Sequence, residues 1–154
     1  MSGTIFAAIA VVVVMLTLSQ SRVDDASLAM DRSDRQRYAF QLAEASALTW
    51  EWADKRGWAD QAPTSTQSLP WPRGFENAPG MTFMVSSGVA YTWSSESGIL
   101  SALMHQLDDR RGVGYASQGW LRSPYTTTTL AIPDDIPEGS VVVINFGPGI
   151  THGR

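Results

Sequence analysis

Cysteine is absent from all 154 residues. That excludes disulfides, thiolate metal sites and a cysteine nucleophile, and it suits an oxidising compartment. Histidine is scarce, with only His105 and His152 available for a metal site or a Ser-His-Asp triad. A surplus of basic charge is also missing. Eleven Lys and Arg face fifteen Asp and Glu, a formal net charge of −4. The chain therefore lacks the electrostatic footprint of a nucleic-acid binder, and no nucleic acid is expected as a partner. Glycine and proline do not occur between Thr4 and Arg56, so nothing there forbids one long helix or two in succession.

Charged side chains are missing from Met1 to Ser21. The apolar run "IFAAIAVVVVMLTL" includes Ile5, Phe6, Ile9, Val11, Val12, Val13, Val14, Met15, Leu16 and Leu18. As a helix it rises about 21 Å, short of a hydrocarbon core of roughly 30 Å. Ser2, Gly3, Ser19, Gln20 and Ser21 extend it close to full length. Residues 1–21 read as an uncleaved transmembrane anchor. A cleaved signal peptide should open with Lys or Arg, and no basic side chain precedes Ile5. A prepilin leader needs a basic stub and a Glu deep in the apolar run. Gly3 is present, but the first Glu is Glu44. Arg22, Arg32, Arg35 and Arg37 follow the span, and the positive-inside rule taken literally puts that side in the cytoplasm.

The second half of the Gly/Pro-free stretch is amphipathic. Tyr38, Leu42, Ala45, Thr49 and Trp52 recur at helical spacing, and Phe40, Ala43, Ala47 and Trp50 widen the stripe. The stripe reads as a core-facing helix or as a partner-binding helix, and both can hold. Lys55 and Arg56 suit its C-terminus, and Gly57 suits a left-handed cap.

Asp60 to Gly80 reads as a connector holding four of the eight prolines, an ordered wrap in which Trp71 and Phe75 seek burial. Met81–Val85 and Val89–Trp93 read as a hairpin around Ser86-Ser87-Gly88. Ser97 is expected to cap a second helix with Ile99, Leu103 and Leu107 as its ridge. Val113–Leu121, Tyr125–Ala131 and Val141–Phe146 read as strands. Residues 22–154 thus form one α+β domain. It comprises an amphipathic helix to about residue 56 and a mostly antiparallel sheet with one further helix, helices on one face.

No reading of the polar residues makes a catalytic, metal or cofactor site. His105 with Asp108 and Asp109 fits a solvated helix face. Asp134, Asp135 and Glu138 lack the ligand spacing of a calcium loop and fit turn chemistry. "GVGYASQG", from Gly112 to Gly119, follows a helix, whereas a dinucleotide fingerprint must follow a strand. Glu76, Glu96 and Glu138 supply acids for a cell-envelope hydrolase, but nothing marks a pair. Six tryptophans are many for this length. Trp50, Trp52, Trp58 and Trp71 are the first candidates for a protein-binding surface.

The stretch "LAIPDDIPEGSVVVINFG", the hairpin "MTFMVSSGVAYTWS", the helix "GILSALMHQL" and the anchor "IFAAIAVVVVML" together resemble the small PilM proteins of type IVB thin-pilus clusters. The actin-like cytoplasmic pilus protein of the same name is a different protein. The resemblance implies an inner-membrane protein with a periplasmic C-terminal domain. It further implies a non-catalytic role in pilus biogenesis, at the basal body or in pilin handling, serving conjugation or adhesion. It overrules the literal charge rule for sidedness. Expected partners are the inner membrane, other pilus assembly proteins or pilins, and a second copy of the chain. Two other classes remain: a minor pilin or pseudopilin-like fibre subunit, and the hydrolase.

Overall fold

A computed structural model describes residues 31–75, 79–107, 112–124, 127 and 129–150. The anchor expected at 1–21 lies outside the described residues, as do Glu76, Asp108, Asp109, Tyr125 and His152. Among the described residues no helix is long and apolar enough to cross a membrane. Met1–Asp34 and Arg35–Arg154 form separate compact units. Only 31–34 of the first are described, as helix. The sheet and its cores all belong to the second.

Helix α1 covers 31–55. Ala39, Leu42, Ala45, Ser46, Thr49 and Ala53 recur three and four apart and are all buried, so one face is core. The helix stops as expected at Gly57 (φ 62°). Trp58 N–H donates to the Ala53 carbonyl at 2.9 Å, and Gly57 N–H to that of Asp54 at 3.1 Å. This pair of bonds is a Schellman motif, and it satisfies carbonyls the helix leaves open. Trp58 itself is left-handed, at φ 60°.

Seven strands form one antiparallel sheet in the order β1-β2-β3-β7-β4-β5-β6. They are β1 Gln61–Ser65, β2 Met81–Ser86, β3 Val89–Ser94, β4 Val113–Ser117, β5 Trp120–Arg122, β6 Leu130–Ala131 and β7 Val141–Phe146. Period-two alternation gives the sheet two buried faces. Met81, Val113, Val141 and Val143 join α1 and helix α2 (Leu100–Met104) in one core. Met84, Tyr91, Trp93, Val142 and Ile144 form a second core on the other face. Ile132 and Ile136, from the segment between β6 and β7, close that face. Both helices therefore lie on one side of the sheet, as the element order implies.

Two hairpins share one device. Ser87-Gly88 and Gln118-Gly119 each have two consecutive positive φ angles, the signature of a type I′ turn. In each, a distant carboxylate accepts the N–H of the first turn residue. Asp60 takes that of Ser87 at 2.8 Å, and Glu138 takes that of Gln118 at 2.9 Å.

Several expectations need correction. The connector 60–80 contains edge strand β1, whose residues "QAPTS" carry no apolar alternation; pairing with β2 makes them a strand. Val113–Leu121 is two strands, because the turn at Gln118-Gly119 reverses the chain. Ser97 does not cap α2. It lies inside a preceding 3-10 turn, Ser97–Ile99, whose cap position is Glu96 and has no side-chain bond. Leu107 falls beyond the helix end. Of Tyr125–Ala131, only Leu130–Ala131 pairs as strand among the described residues.

Candidate functional site

The widened stripe of α1 separates into two in three dimensions. Leu42, Ala45 and Thr49 face the sheet, with Tyr38 packed beside them. Phe40, Ala47 and Trp50 are exposed, Phe40 at 44% and Trp50 at 41%, large values for such side chains. Ala43 lies between, packed partly against the core. Successive spacings of 3, 4 and 3 from Phe40 to Trp50 bring these four residues onto one line along the helix. On a helical wheel this composition is apolar over more than half the circumference, so the two stripes merge into one. No sequence signal separates them.

Aromatic neighbours fix both ends of the outer stripe. Phe40 meets Phe75, ring centroids 5.7 Å apart. Phe75 in turn stacks on Trp71 at 5.0 Å, and Trp71 N–H donates to the Thr66 carbonyl at 2.7 Å. At the other end Trp50 meets Trp58 edge-on at 6.2 Å. The Trp58 ring sits over Gly147, where any β-carbon would stand 2.8 Å from it. Its indole N–H is buried without a hydrogen-bond partner.

The four candidate tryptophans therefore occupy different settings. Trp50 is exposed on the outer stripe. Trp58 supports it from the side. Trp71 and Trp52 are half-buried, Trp52 edge-on to Phe83 at 5.3 Å with the Arg56 guanidinium 4.0 Å over its ring. Trp52, Lys55, Arg56 and Pro70 line a shallow cleft of about 390 Å³. A second cleft, about 500 Å³, lies between α1 and α2, lined by Gln36, Ala102, His105 and Gln106. His105 is exposed at the end of α2.

The sheet edges offer poor footing to an added strand of a partner. Edge strand β1 carries Pro63, a register irregularity between Gln61 and Thr64, and side-chain bonds from Gln61 and Thr64 to the Ala62 carbonyl. The opposite edge, β6, is two residues long. Prolines, irregularities and short strands are the usual ways an edge is blunted. Among the described residues no group of three or more His, Asp or Glu side chains is placed to hold a metal ion. Asp134 and Asp135 occupy a turn.

No curated protein matches the chain. Among solved structures, the crystal structure of a protein named PilM from Escherichia coli B7A is similar. It is 17% identical, the match covers 75% of this chain and 94% of that one, and the TM-score is 0.49. A family model described as PilM matches residues 7–144, nearly the whole length and every strand but the last two residues of β7. The chain belongs to the PilM family.

Proposed function

We propose that this protein is a non-catalytic scaffold of a type IVB pilus assembly system. It is held in the inner membrane by residues 1–21 and displays 22–154 in the periplasm. PilM family membership supports a pilus-related role. The uncharged apolar run from Ile5 to Leu18 supports the anchor. The observation that carries the scaffold reading is the second apolar stripe of α1. Phe40 and Trp50 stand exposed on the helix whose other face is already spent on the core.

An exposed aromatic flanked by small residues is a usual anchor of protein–protein contact, because it buries much area for few frozen torsions. Other inner-membrane assembly proteins or pilins are the partners of this reading. The anchor confines the search for them to two dimensions.

Deletion of the reading frame, scored for pilus fibres by electron microscopy, tests the role. Complementation with the unaltered chain should restore fibres, and complementation with Phe40→Glu/Trp50→Glu should not. A reporter fused after Arg154 and active only outside the cytoplasm tests sidedness. Normal fibres in the deletion strain would sink the proposal.

A further inference from the structure

The cleft beside the C-terminal end of α1 joins two cations to an apolar wall. Trp52, Lys55, Arg56 and Pro70 line its space of about 390 Å³. Small-ligand sites occupy about 300–1,000 Å³. Arg56 follows Trp52 by four residues, so one side of the helix carries both. The Arg56 guanidinium stands over the indole ring, 4.0 Å from its centroid. The indole is itself held edge-on to Phe83 at 5.3 Å. Resting on a ring positions the guanidinium without supplying acceptors for its five N–H donors, since the ring face attracts the charge as a whole. Among the described residues no oxygen accepts from it. Lys55 is the only lysine of the chain. Its ammonium lies 3.8 Å from the Glu51 carboxylate, with the two side chains 73% and 55% exposed. So exposed a pair is worth little, and Lys55 is free to exchange Glu51 for a better acceptor.

We infer that this cleft binds a carboxylate carried beside an apolar group, the chemistry of the C-terminal residue of a polypeptide. The planar guanidinium fork matches the two oxygens of a carboxylate. The ring beneath it already restrains the Arg56 torsions, so little freedom is lost on binding. Lys55 brings a second cation to the rim. Trp52 and Pro70 give the apolar group a surface to cover. An inorganic anion would use the cations and leave that wall wet. An uncharged apolar ligand would cover the wall and leave the guanidinium without an acceptor. Only a ligand with both parts uses both halves of the cleft. The charge balance agrees: the chain carries −4 overall, and adjacent cations at this one cleft favour an anion locally. The site goes beyond the scaffold reading and is independent of it, since it uses neither residues 1–21 nor the exposed Phe40 and Trp50.

A single lysine makes the test clean. The full chain in a non-ionic detergent is treated with an acetylating ester, and the rate of Lys55 acetylation is followed by mass spectrometry. The probes are N-acetyl-leucine, its uncharged amide, acetate and inorganic phosphate, at equal concentrations. A bound carboxylate covers the Lys55 ammonium. N-acetyl-leucine should therefore slow acetylation several-fold, while the amide, acetate and phosphate leave the rate nearly unchanged. Arg56→Gln, an exposed substitution checked by its thermal midpoint, should abolish the protection. No protection by N-acetyl-leucine overturns the inference, as does equal protection by the amide. Equal protection by acetate or phosphate overturns it as well, because the cleft is then an ion-pairing surface with no use for the apolar group. Protection that survives Arg56→Gln in a folded chain removes the guanidinium from the site and overturns it too. If Lys55 is never protected while Phe40→Glu/Trp50→Glu still abolishes fibres, the scaffold reading stands and this site falls. Protection of Lys55 in a chain whose deletion leaves fibres normal does the reverse.

Discussion

Thr92 Oγ1 donates to Thr49 Oγ1 at 3.1 Å, and Thr49 Oγ1 donates onward to the Ala45 carbonyl at 2.8 Å. Both threonines are fully buried between α1 and strand β3. This short relay ties the helix to the sheet through polar atoms in an otherwise apolar layer. Asn145 adds a second tie, donating to the Ser46 carbonyl at 3.1 Å and to its hydroxyl at 2.7 Å. Together these bonds fix which face of α1 lies on the sheet and which is left outward.

The relay is directional, so its two ends should differ in cost. Thr92→Val removes a donor and leaves the Thr49 hydroxyl bonded to Ala45; it should cost about 0.5–1.5 kcal/mol. Thr49→Val strands the Thr92 hydroxyl in the core and should cost about 1–3 kcal/mol. The double variant should cost less than the sum. Urea denaturation of the four chains in detergent closes the cycle. Strict additivity would mean that the hydroxyls do not interact.

The two stripes of α1 should respond oppositely. Leu42, fully buried, should lose about 2–5 kcal/mol on substitution by alanine, because the cavity cannot refill from a helix packed on a sheet. Phe40→Glu should change stability by no more than about 1 kcal/mol, yet abolish assembly. Thermal midpoints and fibre counts on the same strains separate the two effects. If Phe40→Glu unfolds the domain, the outer stripe is core.

Gly114 should tolerate nothing larger. A β-carbon there would stand 2.4 Å from the Arg122 carbonyl oxygen and 2.8 Å from its carbon, both backbone atoms. Gly114→Ala must therefore push β5 off β4. A loss of about 1–3 kcal/mol, with faster hydrogen exchange confined to 113–122, is the expected outcome. At Gly119 a β-carbon meets nothing within 4 Å, but φ is 75°. Gly119→Ala should cost only the left-handed backbone penalty, roughly 1 kcal/mol.

Burial holds the Tyr91 phenol above its ordinary value of 10.0. The folded chain keeps this proton when the unfolded chain would release it. Stability from this group is therefore whole below about pH 10 and is lost as pH rises through the folded value. Urea midpoints from about pH 9 to 11 should fall, and Tyr91→Phe should fall less steeply over the same window. Parallel curves would assign the alkaline loss to other groups.

Much of this fold is written locally. The Gly/Pro-free stretch and its 3.6-residue period specify α1, and Gly57 specifies where it stops. Alternating Val89, Tyr91 and Trp93 specify β3 and its hairpin partner β2, and the unbroken apolar run "VVVINF" specifies β7, a strand covered on both faces. Strand β1 is not legible that way. "QAPTS" has no apolar face, and only the open edge of β2 draws it into the sheet. The break at Gln118-Gly119 is hidden for a similar reason. The flanking residues are apolar enough to read through, and the Glu138 carboxylate that receives the turn's N–H is twenty residues away.

Composition and periodicity are properties of the chain alone, and they already specify a cysteine-free protein with an uncharged apolar segment, an amphipathic helix and apolar strands. Which apolar residues of α1 the sheet would use was settled by long-range packing. A sheet covers a limited arc of a helix, so Leu42, Ala45 and Thr49 were taken into the core while Phe40, Ala47 and Trp50 stayed at the surface. That division depends on where β3 and β7 lie beneath the helix, more than forty residues further along the chain.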